Sequence, residues 1–210
     1  MNFISLGGVG GCTLAFGLRN FNQPSYPYDW LVTSQSFIIN TFLKMENFFE
    51  FDEKYVYDET FLFDKSRKGV ILHDFKKWDK KTSEKLYIKY KRRFDRLEEI
   101  MMSDEDIVLV RSMEDMEDNT GQRRYLNVYD REPDDIDKWV DFLRKQNEKF
   151  SKNIKLLLLA HNKKLIKKVN DENIKIEFIS KGRGVKQKKL MEHGYRFYTK
   201  IKDIYYREVE

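Results

Sequence analysis

Cysteine is almost absent: Cys12 is the only one in 210 residues. A single thiol excludes an internal disulfide and any multi-cysteine metal site. It also suits the reducing interior of a cell. Proline is scarce, with three residues, and no low-complexity stretch or internal repeat stands out. No apolar run reaches membrane-spanning length. The N-terminus lacks the basic start and long apolar core of a secretory signal. These absences point to a cytoplasmic chain with no membrane span. Three histidines lie far apart, at no spacing that suggests a metal site, and no cofactor is implied.

Aromatic residues are plentiful, at 15% of the chain, and argue against disorder although 36% of residues are charged. The length fits one domain over residues 1–210 with room for a sizeable core. The net charge is +5, with basic residues thickening at 76–93 and 181–189. A basic surface can attract nucleic acid, anionic lipid or phosphorylated substrates. Here the charge runs through the whole chain and reads better as a solvated face than as a nucleic-acid site. The oligomeric state is not legible.

The chain is organised around its N-terminal segment. Asn2-Phe3-Ile4-Ser5-Leu6 is an apolar run of strand length. Gly7-Gly8-Val9-Gly10-Gly11 follows, then Cys12, then residues 13–19, which can start a helix. Glycines let backbone N–H groups turn inward without a Cβ in the way. A helix start adds unpaired donors and partial positive charge, which favour a thiolate. The plainer alternative is a strand–helix joint with a small buried thiol.

Downstream, Tyr26-Pro27-Tyr28-Asp29-Trp30-Leu31 reads as an irregular aromatic connection, with Asp29 as a helix cap or as an acid near the thiol. Ser34 or Ser36 can cap a helix whose stripe is Ile38, Phe42, Met45 and Phe49. Residues 54–63 fit a strand or hairpin. Gly69-Val70-Ile71-Leu72 is a second apolar run, ending at His73-Asp74. Thr82 or Ser83 can cap a long helix buried through Leu86, Tyr90, Phe94, Leu97 and Met101. Its charged face, Arg92 and Arg93 included, is expected in solvent, the sharper reading being a phosphate or carboxylate clamp. Residues 106–111 read as a strand apolar from Ile107 to Val110 and ending at Arg111, and 154–160 as another buried strand ending at His161. The segment 114–124 reads as a loop, Pro133-Asp134 as a helix start, 163–169 as a two-turn helix and 174–179 as a strand. Residues 195–206 alternate as an edge strand would. Strands at 2–6, 107–111, 154–160 and 174–179 alternating with helices predict an α/β fold. Its mostly parallel sheet would be flanked by helices in a Rossmann-like three-layer arrangement, with the glycine-rich loop after the first strand.

Several of these motifs carry a resemblance. Ser5-Leu6-Gly7, Cys12, Leu18-Arg19 and the Tyr26-Pro27-Tyr28-Asp29-Trp30-Leu31 run resemble the opening of the family predicted to be papain-like cysteine peptidases, otherwise grouped as a domain of unknown function. His73-Asp74-Phe75, the Lys89-Tyr90-Lys91-Arg92-Arg93-Phe94-Asp95-Arg96 helix and Val108-Leu109-Val110-Arg111 resemble it in the same order. Tyr28 stands where the family usually has Phe, and the glycine loop before Cys12 is longer. The resemblance implies a nucleophile–base pair, carried here by Cys12 and His73. It also implies a papain-like α+β fold, in which the nucleophile's helix meets an antiparallel sheet. That is the alternative to the parallel sheet read from the alternation.

Three functions follow. One is a cysteine-dependent hydrolase or acyl transferase acting on a peptide or acyl substrate. Cys12 would be nucleophile, His73 or His161 base, and Asp74 or Asp29 the orienting acid. Glycine-loop N–H groups would hold the oxyanion. The second is a transferase for phosphorylated small molecules such as nucleotide-sugars. Gly7, Gly8, Gly10 and Gly11 would cradle a diphosphate that Arg92, Arg93 or Arg111 neutralises. The loop matches neither the dinucleotide fingerprint in its usual register nor a P-loop. The third is a non-catalytic interaction module.

Overall fold

The structure, a computed structural model, describes residues 1–8, 11–72, 74–113, 128–166, 169–179 and 187–206. In chain order the elements are β1 (Asn2–Gly8), α1 (Gly11–Leu18), β2 (Leu31–Thr33), α2 (Gln35–Thr41), β3 (Val56–Tyr57), β4 (Phe61–Phe63), β5 (Gly69–Ile71) and α3 (Lys80–Met102). Then come β6 (Ile107–Ser112), α4 (Ile136–Phe150), β7 (Lys155–Ala160), β8 (Ile174–Phe178) and α5 (Gln187–Tyr205).

Strands with no polar face need cover on both sides, and the parallel sheet, ordered β1-β6-β7-β8, has it. Phe3, Val108, Val110, Leu157 and Leu159 meet Leu14 and Leu18 of α1 and Phe197 and Ile201 of α5. On the opposite face Ile4, Leu6, Leu109, Leu156 and Leu158 meet Leu86, Tyr90, Phe94, Leu97 and Met101 of α3 and Trp139, Phe142 and Leu143 of α4. Each such side chain contributes about 1.5–3 kcal/mol when fully buried. The fold is therefore mixed α/β, with helices on both faces of a parallel sheet. Among the described residues no helix is long and apolar enough to cross a membrane.

Beside it lies an antiparallel sheet, ordered β2-β5-β4-β3. The expected hairpin is β3–β4. Its connection spans residues 58–60: Asp58 and Glu59 both take positive φ (52° and 53°), and the Thr60 N–H closes the turn on the Tyr57 carbonyl at 3.3 Å. The two sheets meet where β1 ends and β2 begins.

Several local expectations change. Residues 195–205 belong to α5, not to an edge strand: Phe197 and Ile201, four apart, both bury on the parallel sheet. α5 also closes on α1, where a Cβ at Gly17 would come within 2.7 Å of the Gly194 carbonyl. Asp79, rather than Thr82 or Ser83, caps α3, its Oδ1 accepting the Thr82 N–H at 2.6 Å. α2 stops at Thr41, and Met45 falls in a separate 3-10 turn, because Leu43 turns left-handed (φ 58°). At 163–169, where the sequence predicts a two-turn helix, the described residues form a 3-10 turn at Lys163–Leu165. The loop at 114–124 lies outside the described residues.

Candidate functional site

The glycines at the end of β1 are set by close approach. Gly7 and Gly8 take left-handed backbone (φ 69° and 108°). A Cβ on Gly8 would sit 1.8 Å from the Ser112 carbonyl oxygen, and one on Gly11 1.9 Å from that of Leu31. β6 and β2 therefore fill the space that glycine leaves. The amides are engaged as well: Gly7 N–H donates to Ser5 Oγ and Gly8 N–H to Thr33 Oγ1, each at 3.0 Å. These two donors serve the fold and do not line an open anion cradle. Gly10 lies outside the described residues.

Cys12 is the second residue of α1 and is half-buried. Its thiol donates to the Trp30 carbonyl across 3.6 Å. It packs against Val32, Phe63, Val70, Leu72 and Tyr129, the cluster built on the antiparallel sheet. Leu14 and Leu18 face the parallel sheet. Cys12 lies about 200° around the helix from Leu14 and so looks the other way. α1 thus stands between the two sheets, with its thiol on the side of β2 and β5.

His73 lies outside the described residues, but both its neighbours are pinned. Leu72 is buried in the cluster that Cys12 packs against. Asp74 accepts from Lys89 Nζ (2.5 Å) and Tyr90 Oη (2.7 Å), so its carboxylate anchors the chain to α3. Burial, and then the Asp74 charge, push the Tyr90 phenol well above its usual value.

His161 follows β7. Its Nδ1 lies 3.2 Å from the Ile179 carbonyl, which can only accept, so Nδ1 carries a proton there, and Nε2 pairs with the Ser112 hydroxyl at 3.0 Å. Its ring meets Phe197 of α5 edge-on, centroids 6.1 Å apart. That is the face that Leu14 of α1 covers, not the side the thiol faces.

Asp29 caps no helix, since α2 begins later on Ser34. Instead its Oδ2 accepts the Tyr26 N–H at 3.0 Å, closing the turn before β2. Burial pushes its carboxyl up to about 6, against the lowering pull of that N–H, Arg93 and Arg19. Arg92 is exposed, whereas Arg93 is buried, contrary to the solvated face expected. Its guanidinium lies 5.1 Å from the Tyr90 ring centroid, and its Nη1 has no hydrogen-bond partner. Being consecutive on α3, the two arginines do not form a clamp.

Arg111 is wholly buried. Nε and Nη2 pair with Asp134 (3.2 and 3.3 Å), and Nη1 donates to the Leu6 carbonyl (3.2 Å) and Thr33 Oγ1 (2.8 Å). Trp139 Nε1–H donates to the same Asp134 at 2.9 Å. Arg111 is thus the joint between both sheets and the start of α4, sealed from solvent. Thr33 is the residue the sequence does not reveal. It accepts from Gly8 and Arg111 and donates to the Leu6 carbonyl at 2.9 Å. No motif marks it, because its role exists only once β1, β2 and β6 meet.

Among the described residues no group of three or more His, Cys, Asp or Glu converges as a metal site would. The geometry brings together the thiol, the α1 N-terminus and the end of β5, and sets His161 and Arg111 to other tasks. In comparison with known proteins, no family model, no curated protein and no solved structure matches the chain.

Proposed function

We propose that the protein is a cysteine-dependent hydrolase or acyl transferase with Cys12 as nucleophile and His73 as base. One observation carries this reading. The half-buried thiol at the start of α1 turns away from the parallel sheet toward the cluster holding Leu72, the residue before His73. The resemblance to papain-like cysteine peptidases names the same pair. It also accords with a thiol helix that packs on an antiparallel sheet. The helix-covered parallel sheet behind it serves as a Rossmann-like three-layer support.

In the reaction, His73 takes the Cys12 thiol proton, and the resulting thiolate attacks a carbonyl carbon to form a C–S bond. The first amides of α1, unpaired within the helix, hold the oxyanion. The His73 imidazolium gives its proton to the departing group as the carbonyl–leaving-group bond breaks. Water, deprotonated by His73, then releases the acyl group, or an amine or alcohol accepts it. His161, held between Ser112 and the Ile179 carbonyl, ties the C-terminal ends of the parallel strands together.

The test is a burst assay with p-nitrophenyl acetate. One equivalent of p-nitrophenolate should appear as an acetyl group is fixed on Cys12, read by intact mass. Cys12→Ser should abolish both signals. A protein that never acquires the acetyl group at Cys12 overturns the reading.

A further inference from the structure

We propose that Asp29 is a positioning residue for the Cys12 thiol: its carboxylate fixes the turn whose Trp30 carbonyl accepts the thiol proton, so the turn is a latch that holds the sulfur protonated at rest. This rests on the reading of Cys12 as the nucleophile.

Asp29 closes the turn from both sides. Its carboxylate accepts the Tyr26 N–H (3.0 Å), and its own N–H donates to the Tyr26 carbonyl (3.3 Å). The next residue, Trp30, is held left-handed at φ 70°, which a bulky side chain adopts only under constraint. Its ring is clamped edge-on by Phe16 and covered by the Arg19 guanidinium, each 4.6 Å away. That orientation aims the Trp30 carbonyl at Cys12 Sγ, 3.6 Å away. A carbonyl can only accept, so it stabilises the thiol and opposes the thiolate that the helix start favours. The latch and the helix thus act on the sulfur with opposite sign.

The charge on Asp29 is tied to α3. Arg93 is only 6% exposed and has an unpartnered Nη1, and its charge reaches Asp29. The groups facing Asp29 are Arg93 and Tyr90 from α3, Arg19 just past α1, and Tyr26 from its own turn. Arg96 of α3 donates to the Ser25 carbonyl at 3.2 Å and acts on Tyr26, as does Glu105 beyond α3. Neutralising Asp29 weakens its acceptance of the Tyr26 N–H and so loosens this turn, even though burial makes the neutral acid the more stable form for the fold as a whole. With the carboxyl pushed up to about 6, this release falls within an accessible pH range.

The test is alkylation of the native full-length protein with iodoacetamide from pH 5 to 9, followed by intact mass. It compares wild type, Asp29→Ala and Asp29→Asn, with Cys12→Ser as the blank. Asp29→Ala should alkylate about three- to tenfold faster at pH 7, the range set by one hydrogen bond. Asp29→Asn keeps an oxygen for Tyr26 N–H and should fall between the two. The wild-type rate profile should bend near pH 6 in addition to the thiol's own titration, and Asp29→Asn should lack that bend. An Asp29→Ala rate equal to wild type, or a bend that persists in Asp29→Asn, overturns the latch. If Asp29→Ala loses its near-UV circular dichroism, the Asp29→Asn profile decides alone. Alkylation needs neither substrate nor His73, so failure here leaves the acyl-transfer reading standing. A protein that forms no acetyl-enzyme yet shows the Asp29 bend retains the latch.

Discussion

Replacing Asp29 with Asn measures what burying this acid costs. The residue is 8% exposed, and burial lifts its carboxyl from 3.8 to about 6 despite the Tyr26 N–H, Arg93 and Arg19. A folded state that holds a proton more tightly than the unfolded chain gains stability from it. That gain is complete below the unfolded value of 3.8 and is lost as the pH rises through about 6. At ~1.36 kcal/mol per pH unit, the ionised acid costs about 3 kcal/mol above that range. Asp29→Asn removes the charge and keeps an acceptor for the Tyr26 N–H. It should stabilise the protein by up to about 3 kcal/mol at pH 8, or roughly 6–12 °C in Tm. The advantage should shrink steadily and vanish by about pH 4. Urea unfolding followed by tryptophan fluorescence at several pH values reads both the size and the slope. A variant less stable than wild type at pH 8, or a difference independent of pH, refutes the reasoning. A gain would show that the charge on Asp29 is retained at the expense of stability, as functional groups commonly are.

Arg111→Met should cost about 3–5 kcal/mol, because it strands the buried Asp134 carboxylate. Arg111→Met combined with Asp134→Leu should recover part of that loss, and denaturant midpoints of the single and double variants check it. Gly8→Ala should cost more than about 2 kcal/mol, since its left-handed backbone and the Ser112 carbonyl leave a Cβ no room. A melting temperature equal to wild type would show that the end of β1 can move away from β6.

The parallel sheet was legible because the runs 107–110 of β6 and 156–160 of β7 are unbroken apolar stretches, and only cover on both faces accommodates such strands. At 54–63 the alternation leaves a single strand and a hairpin equally open, and the left-handed turn at Asp58 and Glu59 makes it the hairpin β3–β4. α5 was not. Its aromatic, basic and apolar residues fit period two as well as spacing i,i+4, and what decides between them is Gly194 seating against Gly17 on a distant helix. Arg93 carries no sign of burial in its charged run: its guanidinium lies over the Tyr90 ring of the same helix, and its charge reaches Asp29 only because the turn before β2 packs near α3. The glycine run announced a turn, but not that the carbonyls of Leu31 and Ser112 would occupy its space. Arg111 was correctly placed at a strand's C-terminal end. Asp134 and Thr33 capture it there, and neither partner is visible as a motif.

The pairing of Cys12 with His73 is tested most directly by the acetylation burst measured side by side in wild type, His73→Ala and His161→Ala. Loss of the base should slow acetylation of Cys12 by about 100-fold or more in His73→Ala, with less than a tenfold change in His161→Ala. Equal losses in both variants, or an undiminished burst in His73→Ala, would contradict the pairing.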